Sequence, residues 1–242
     1  MIRKDKTPII NGSGRAIRDW AKVFLMLVSI LAGLDAAVAA QDRKYPPLSE
    51  YMMAPEDEVA LARSAGPEKV SARATVKILT ASGYKVVAQG DNGFVCMVLR
   101  GWSGAPDPEF VYYSKLRAPI CFDPVASRTV VPLEELRTQL GIEGKGPDAI
   151  AQEVATAYGL GKLPKMEAVA FAYMWSANQD VGPGFGAWHP HMMVYAPYYE
   201  NSMLGGNEVG GSAPFVGDAT GTPFNVVVIP VDDKLAVKAK SR

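Results

Sequence analysis

The chain has 242 residues, 25 Lys+Arg against 25 Asp+Glu, and 48% hydrophobic residues. The balance carries no basic excess and no block of like charge occurs, which argues against a nucleic-acid partner, whose phosphates ask for a basic stripe. With two cysteines and two histidines in the whole chain, thiol and metal chemistry have few residues to draw on.

Residues 1–22 carry six basic side chains. They are followed by the apolar run Val23–Leu34, then Asp35 and the small residues Ala36–Ala40. A basic region, a short apolar core and an A-x-A-like end are the parts of a secretory signal peptide, which predicts removal of residues 1–40. The alternative is an uncleaved membrane anchor, but a spanning helix needs about 20 apolar residues and this run must tolerate Asp35 to approach that length. Six basic and three acidic residues lie in the segment, so the remainder has a net charge of −3. The expected location is periplasmic or secreted, with the membrane only as the export route. In an oxidising compartment Cys96 and Cys121 are expected to form one disulfide.

Residues 41–54, with Tyr45-Pro46-Pro47, read as an extended lead-in. Pro55 then opens a helix with Glu56, Asp57 and Glu58 in its first turn, and Gly66-Pro67 ends it. From residue 72 the period changes to two. Three runs, 74–80, 84–89 and 94–100, predict an antiparallel meander, with Asn92-Gly93 in a hairpin turn between the last two. Val70, Ala74 and Ile78 also fit one helical face, so the first of these strands has a helical alternative. Residues 101–130 hold Gly101, Gly104, Pro106, Pro108, Pro119 and Pro124 and read as loop.

Two amphipathic helices are predicted next. Pro132–Leu140 places Leu133, Leu136 and Leu140 on one face, and Pro147–Tyr158 does the same with Ile150, Val154 and Tyr158. Strand 167–175 alternates Val169, Phe171, Tyr173 and Trp175 with Ala168, Ala170, Ala172 and Met174, so a helix is expected close over the alanine face. Strands 190–196 and 224–231 follow. Before each lies a glycine-rich connection, 182–186 and 198–223. Residues 233–242 read as a polar, solvated tail. The whole is a single α+β domain over 55–232, with an antiparallel sheet in one or two pieces, about three short helices and long Gly-rich loops.

The histidines stand together in Trp188-His189-Pro190-His191. On a strand, residues i and i+2 face the same way, so a strand starting at His189 would put both imidazoles on one face with Met193 and Tyr195. Such a pair suits Zn, Cu or Fe, with a third ligand among Asp180, Glu200, Glu208 and Asp218. The competing reading is structural, with one imidazole bonded to a backbone carbonyl and the other at the surface. The run resembles the G-x5-H-x-H start of a cupin motif, but Pro183 stands where the glycine belongs, and Tyr195 and Ala196 where a glutamate belongs. No G-x-S-x-G elbow, Walker loop or dinucleotide G-x-G-x-x-G is present, so no catalytic set is assembled. Trp188 and Tyr195 are candidates for lining a pocket, with Tyr198, Arg100 and Arg117 beside it.

Asn92-Gly-Phe-Val-Cys96, Pro119-Ile-Cys121 and Trp188-His-Pro-His191, in that order and spacing over 72–231, resemble a family of uncharacterised exported bacterial proteins. The resemblance implies a shared fold and secretion and no activity. Two functions remain. One is a non-catalytic, disulfide-stapled domain that binds a small ligand or another protein; the other is a metal-dependent enzyme or metal carrier using His189 and His191.

Overall fold

The structure, a computed structural model, describes residues 44–103, 108–166, 168–218 and 225–240. The segment 1–40, predicted to be removed on export, lies outside the described residues. In chain order the elements are α1 (Leu48–Tyr51), α2 (Pro55–Arg63), α3 (Glu68–Ser71), β1 (Thr75–Thr80), β2 (Gly83–Ala88) and β3 (Val95–Leu99). A 3-10 turn at Pro108–Tyr112 precedes β4 (Ala118–Phe122), α4 (Pro124–Thr129), α5 (Val131–Ile142) and α6 (Pro147–Gly159). The chain then forms β5 (Ala170–Met174), β6 (His191–Tyr195), β7 (Phe215–Asp218) and β8 (Val226–Pro230), with 3-10 turns at Asn201–Leu204 and Asp233–Leu235.

All eight strands join one sheet in the order β2-β1-β3-β4-β5-β6-β8-β7. The class is α+β as expected, but the sheet is a single piece and is mixed. β1 and β3 run parallel, pairing Thr75 with Val95 and Val76 with Cys96, while every other neighbouring pair is antiparallel. The expected meander is therefore corrected: β2 and β3 are not neighbours, and Asn92-Gly93 does not close a hairpin. Instead Asn92 Nδ2 donates to the Val70 carbonyl at 2.8 Å and Asp91 N donates to the Arg73 carbonyl at 3.0 Å. These bonds hold the segment against the entry to β1, which brings β3 in alongside β1 in the same direction. Gly90 allows that approach, since a Cβ there would lie 2.3 Å from backbone atoms of Arg73, Ala74 and Thr75.

The loop expected over 101–130 is also corrected, because it contains the fully buried strand β4 and the helix α4. Pro119 disguised β4, as proline is rare in a central strand. Cys96 and Cys121 face each other across β3 and β4 with 4.0 Å between Cα atoms, the spacing of a non-hydrogen-bonded pair. Pro119, two residues earlier and opposite Val98, falls in the same kind of pair. Its nitrogen is turned away from β3, toward a side where β5 has already ended at Met174, so the missing N–H removes no ladder bond. The disulfide between Cys96 and Cys121 is present.

Helices cover both faces. α2 packs on β1, β3 and β4, where Leu61, Ala62 and Ala65 meet Val76, Val98 and the disulfide. On the other face, Ala126 of α4 shares the main core with Ala170 and Ala172 of β5, as the small-residue face of that strand predicted. α5 and α6 pack on each other through Leu133, Leu140, Ile150 and Val154. Six helices stand among the described residues in place of the expected three. The lead-in is not wholly extended: α1 forms within it and Tyr51 is fully buried. Nor is the tail merely solvated, since Val237 N donates to the Trp175 carbonyl at 2.7 Å and Ala177 N to the Val237 carbonyl at 2.8 Å.

Candidate functional site

β6 begins at His191, not at His189, and this decides where the two imidazoles go. His191, Met193 and Tyr195 share one face by strand alternation, and all three line a cavity of about 190 Å³. His189 lies before the strand and turns outward. Its ring is half exposed, with Nδ1 2.8 Å from Asp233 Oδ1. His191 Nδ1 lies 2.8 Å from the His189 backbone carbonyl. A carbonyl only accepts, so Nδ1 carries the hydrogen and Nε2 has a lone pair.

The two histidines thus have different partners, and the arrangement is the structural one weighed against the metal pair. Of the carboxylates considered as third ligand, Asp180 accepts from Tyr113 Oη at 3.0 Å and from Gly182 N at 3.0 Å, and Glu200 accepts from Ser202 Oγ at 3.4 Å. The Asp218 side chain lies outside the described residues. Among the described residues no three His, Cys, Asp or Glu side chains come together as a metal-binding group. Among the described residues, His189 and His191 therefore do not present a shared donor set to one ion.

The cavity lies between the sheet and the helices. Its floor is formed by Ala118, Met174, Met193, Val226 and Val228 from β4, β5, β6 and β8, and α5 faces it with Leu133, Glu134 and Arg137. Phe185 and Val209, from the two glycine-rich connections, line it as well and remain 40% and 52% exposed, so they mark its mouth. The first connection is a tight turn, with Gly186 N donating to the Gly182 carbonyl at 2.9 Å. Gly182 adopts a φ of +113° and packs against the Phe110 ring, a position that only glycine fills without strain. The second connection is pinned internally. Asn201 Nδ2 reaches the Asn207 carbonyl at 2.6 Å, and Val216 N donates to Asn201 Oδ1 at 3.1 Å. β7, which was not expected, emerges from it.

Trp188 and Tyr195 both line the cavity, and so does Arg100. Trp188 fixes the orientation of His191, its ring 4.8 Å from the imidazole and 5.7 Å from Phe215, while its Nε1 donates to the Gly210 carbonyl at 3.1 Å. Gln179 Nε2 holds the carbonyls of Trp188 at 2.5 Å and His189 at 3.2 Å. Burial pushes His191 down to about 4, and the bond to the His189 carbonyl only partly opposes this, so the ring in the cavity is neutral at physiological pH. Arg117 does not line the cavity. It donates to backbone carbonyls of Ser114 and Leu116 at 2.7 Å and of Glu50 at 3.1 Å. Burial and the nearby Arg100 charge push it down to about 10.

Sequence reasoning missed Arg137 and Phe215. Arg137 did leave a signal: four residues after Leu133 and three before Leu140, it puts a charge in the apolar stripe of α5, where Arg137 Nη1 meets Glu134 Oε1 at 3.2 Å. Phe215 left none, because its strand is four residues long inside a glycine-rich stretch. No protein-family model, curated protein or solved structure matches the chain.

Proposed function

We propose that the protein is an exported, disulfide-stapled binding domain whose cavity takes one small, mainly apolar organic molecule. The cavity carries this reading. An apolar cavity of about 150 Å³ admits benzene, and this one, at about 190 Å³, has room for a substituted ring. Its walls are mainly Leu, Met, Val and aromatic side chains, with a few polar groups converging on them, which is the composition of small-molecule sites. The disulfide supports an oxidising compartment.

Small aromatic probes added to the protein test this by thermal unfolding. A probe at a hundred times its Kd stabilises the folded state by about 2.7 kcal/mol, a rise in Tm of several degrees for a domain of this size. Met193→Trp, which fills the cavity from the sheet side, should abolish the rise while leaving the protein folded. If no apolar probe of one-ring size shifts the wild type, or if Met193→Trp responds equally, the reading is wrong.

A further inference from the structure

Resting on that reading, we infer that the cavity's ligand carries a neutral hydroxyl, as in a phenol or a ring alcohol, and that His191 Nε2 accepts its hydrogen bond. His191 is only 5% exposed, and its Nδ1–H is taken by the His189 carbonyl. Nε2 is then a bare acceptor with no hydrogen-bond partner among the described residues, on a ring that lines the cavity. The ring cannot turn to offer a donor without breaking the Nδ1 bond and leaving its contact with Trp188. With Nδ1–H already committed, Nε2 is the atom of the ring left to pair, so a ligand that supplies a donor has an advantage over one that does not.

The lone pair also selects against other ligand chemistries. A carboxylate or ketone would bring its own lone pairs against Nε2, and a burial-depressed imidazole does not protonate readily to meet an anion. A cation would lose its hydration and meet in Nε2 only a neutral acceptor. A hydroxyl donates one hydrogen at little desolvation cost. The aromatic rings of Trp188 and Phe215, 5.7 Å apart in an edge-to-face arrangement, favour an aromatic body for the rest of the molecule.

The test uses two probes of matched shape, p-cresol and p-xylene, which differ by a hydroxyl in place of a methyl. Calorimetry on the full mature chain should show p-cresol binding roughly tenfold more tightly, the worth of one buried hydrogen bond. In His191→Leu the preference should vanish while p-xylene still binds. In the wild type, the 15N resonance of His191 Nε2 should move on adding p-cresol and stay still with p-xylene, a readout that needs no variant. Equal binding of both probes, an unmoved Nε2 resonance, or a preference that survives in His191→Leu overturns the hydroxyl inference and leaves the cavity reading standing. Binding of neither probe overturns both.

Discussion

Arg100 Nη2 and Glu58 Oε1 stand 2.9 Å apart, and neither side chain exposes any surface. Glu58 comes from the first turn of α2 and Arg100 from the end of β3, so the pair fastens the helix on one face of the sheet to a residue that also lines the cavity. Arg100 Nε donates to the Tyr51 carbonyl at 2.7 Å and Nη1 to the Val98 carbonyl. Glu58 Oε1 also accepts from Leu79 N at 3.0 Å. A residue whose sequence position suggested only a helix-dipole partner is instead a buried counter-ion.

Removing one member of such a pair leaves an uncompensated charge in the interior, at a cost of about 3–5 kcal/mol. Glu58→Leu should therefore lower the stability measured by urea unfolding by that amount. Glu58→Leu combined with Arg100→Met should be more stable than Glu58→Leu alone, because the stranded guanidinium is gone. A double variant no better than the single one would show that the charge is not what the single variant exposes.

The Cys96–Cys121 link spans 25 residues. In the chain-entropy account, closing a loop of that length stabilises the folded state by about 3 kcal/mol. Replacing both cysteines with alanine should lower the unfolding free energy by about that amount and leave the strand pairing of β3 and β4 intact by circular dichroism. Mass spectrometry under non-reducing and reducing conditions, in the presence of a thiol-blocking reagent, checks that the bond forms in the folded protein.

His191 makes stability depend on pH with a definite sign. Its folded value is about 4 against an ordinary 6.5, so between those values the unfolded chain binds a proton that the folded one refuses. Stability is fully retained above about pH 6.5, falls by about 3 kcal/mol as the pH drops to 4, and this component adds no further slope below that. Urea unfolding at pH 7 and pH 4 measures it, with His191→Leu as the reference. If the two proteins lose equal stability over that interval, His191 is not buried in its neutral form.

Gly90→Ala should cost about 2–3 kcal/mol, since the added carbon would run into the backbone of residues 73–75, which no side-chain rotation can relieve. Hydrogen exchange at Thr75 N, which donates to the Phe94 carbonyl at 2.9 Å, should speed up in this variant. Unchanged exchange there would mean that the parallel pairing of β1 and β3 does not depend on the close approach at Gly90.

What could be read from the sequence followed from local rules. Proline at the first helical positions marked α2, α5 and α6, and alternation on Ala170–Met174 and His191–Tyr195 gave both strands and the facing of His191, Met193 and Tyr195. What was hidden followed from distant contacts. Asn92-Gly93 has the chemistry of a hairpin turn, but its side chain bonds to Val70 rather than closing β2 on β3. β4 was concealed by a proline whose missing N–H faces no neighbour. The separation of His189 from His191 turned on a start of β6 two residues later than the pair itself suggests, and Pro190 between them keeps the first out of the ladder.

The last of the described strands does not sit at the border of the sheet. β8 lies between β6 and β7, and chains are synthesised from the N-terminus, so two strands emerge before the one that joins them. Until Val226–Pro230 are available, the outer edge of β6 presents unpaired backbone groups, β7 has nothing to pair with, and the part of the cavity floor formed by Val226 and Val228 does not exist. Such an edge is where other chains can add themselves. Among the described elements the cavity is therefore completed last, so that a chain shortened before Val226 has both an adhesive edge and an unfinished cavity floor.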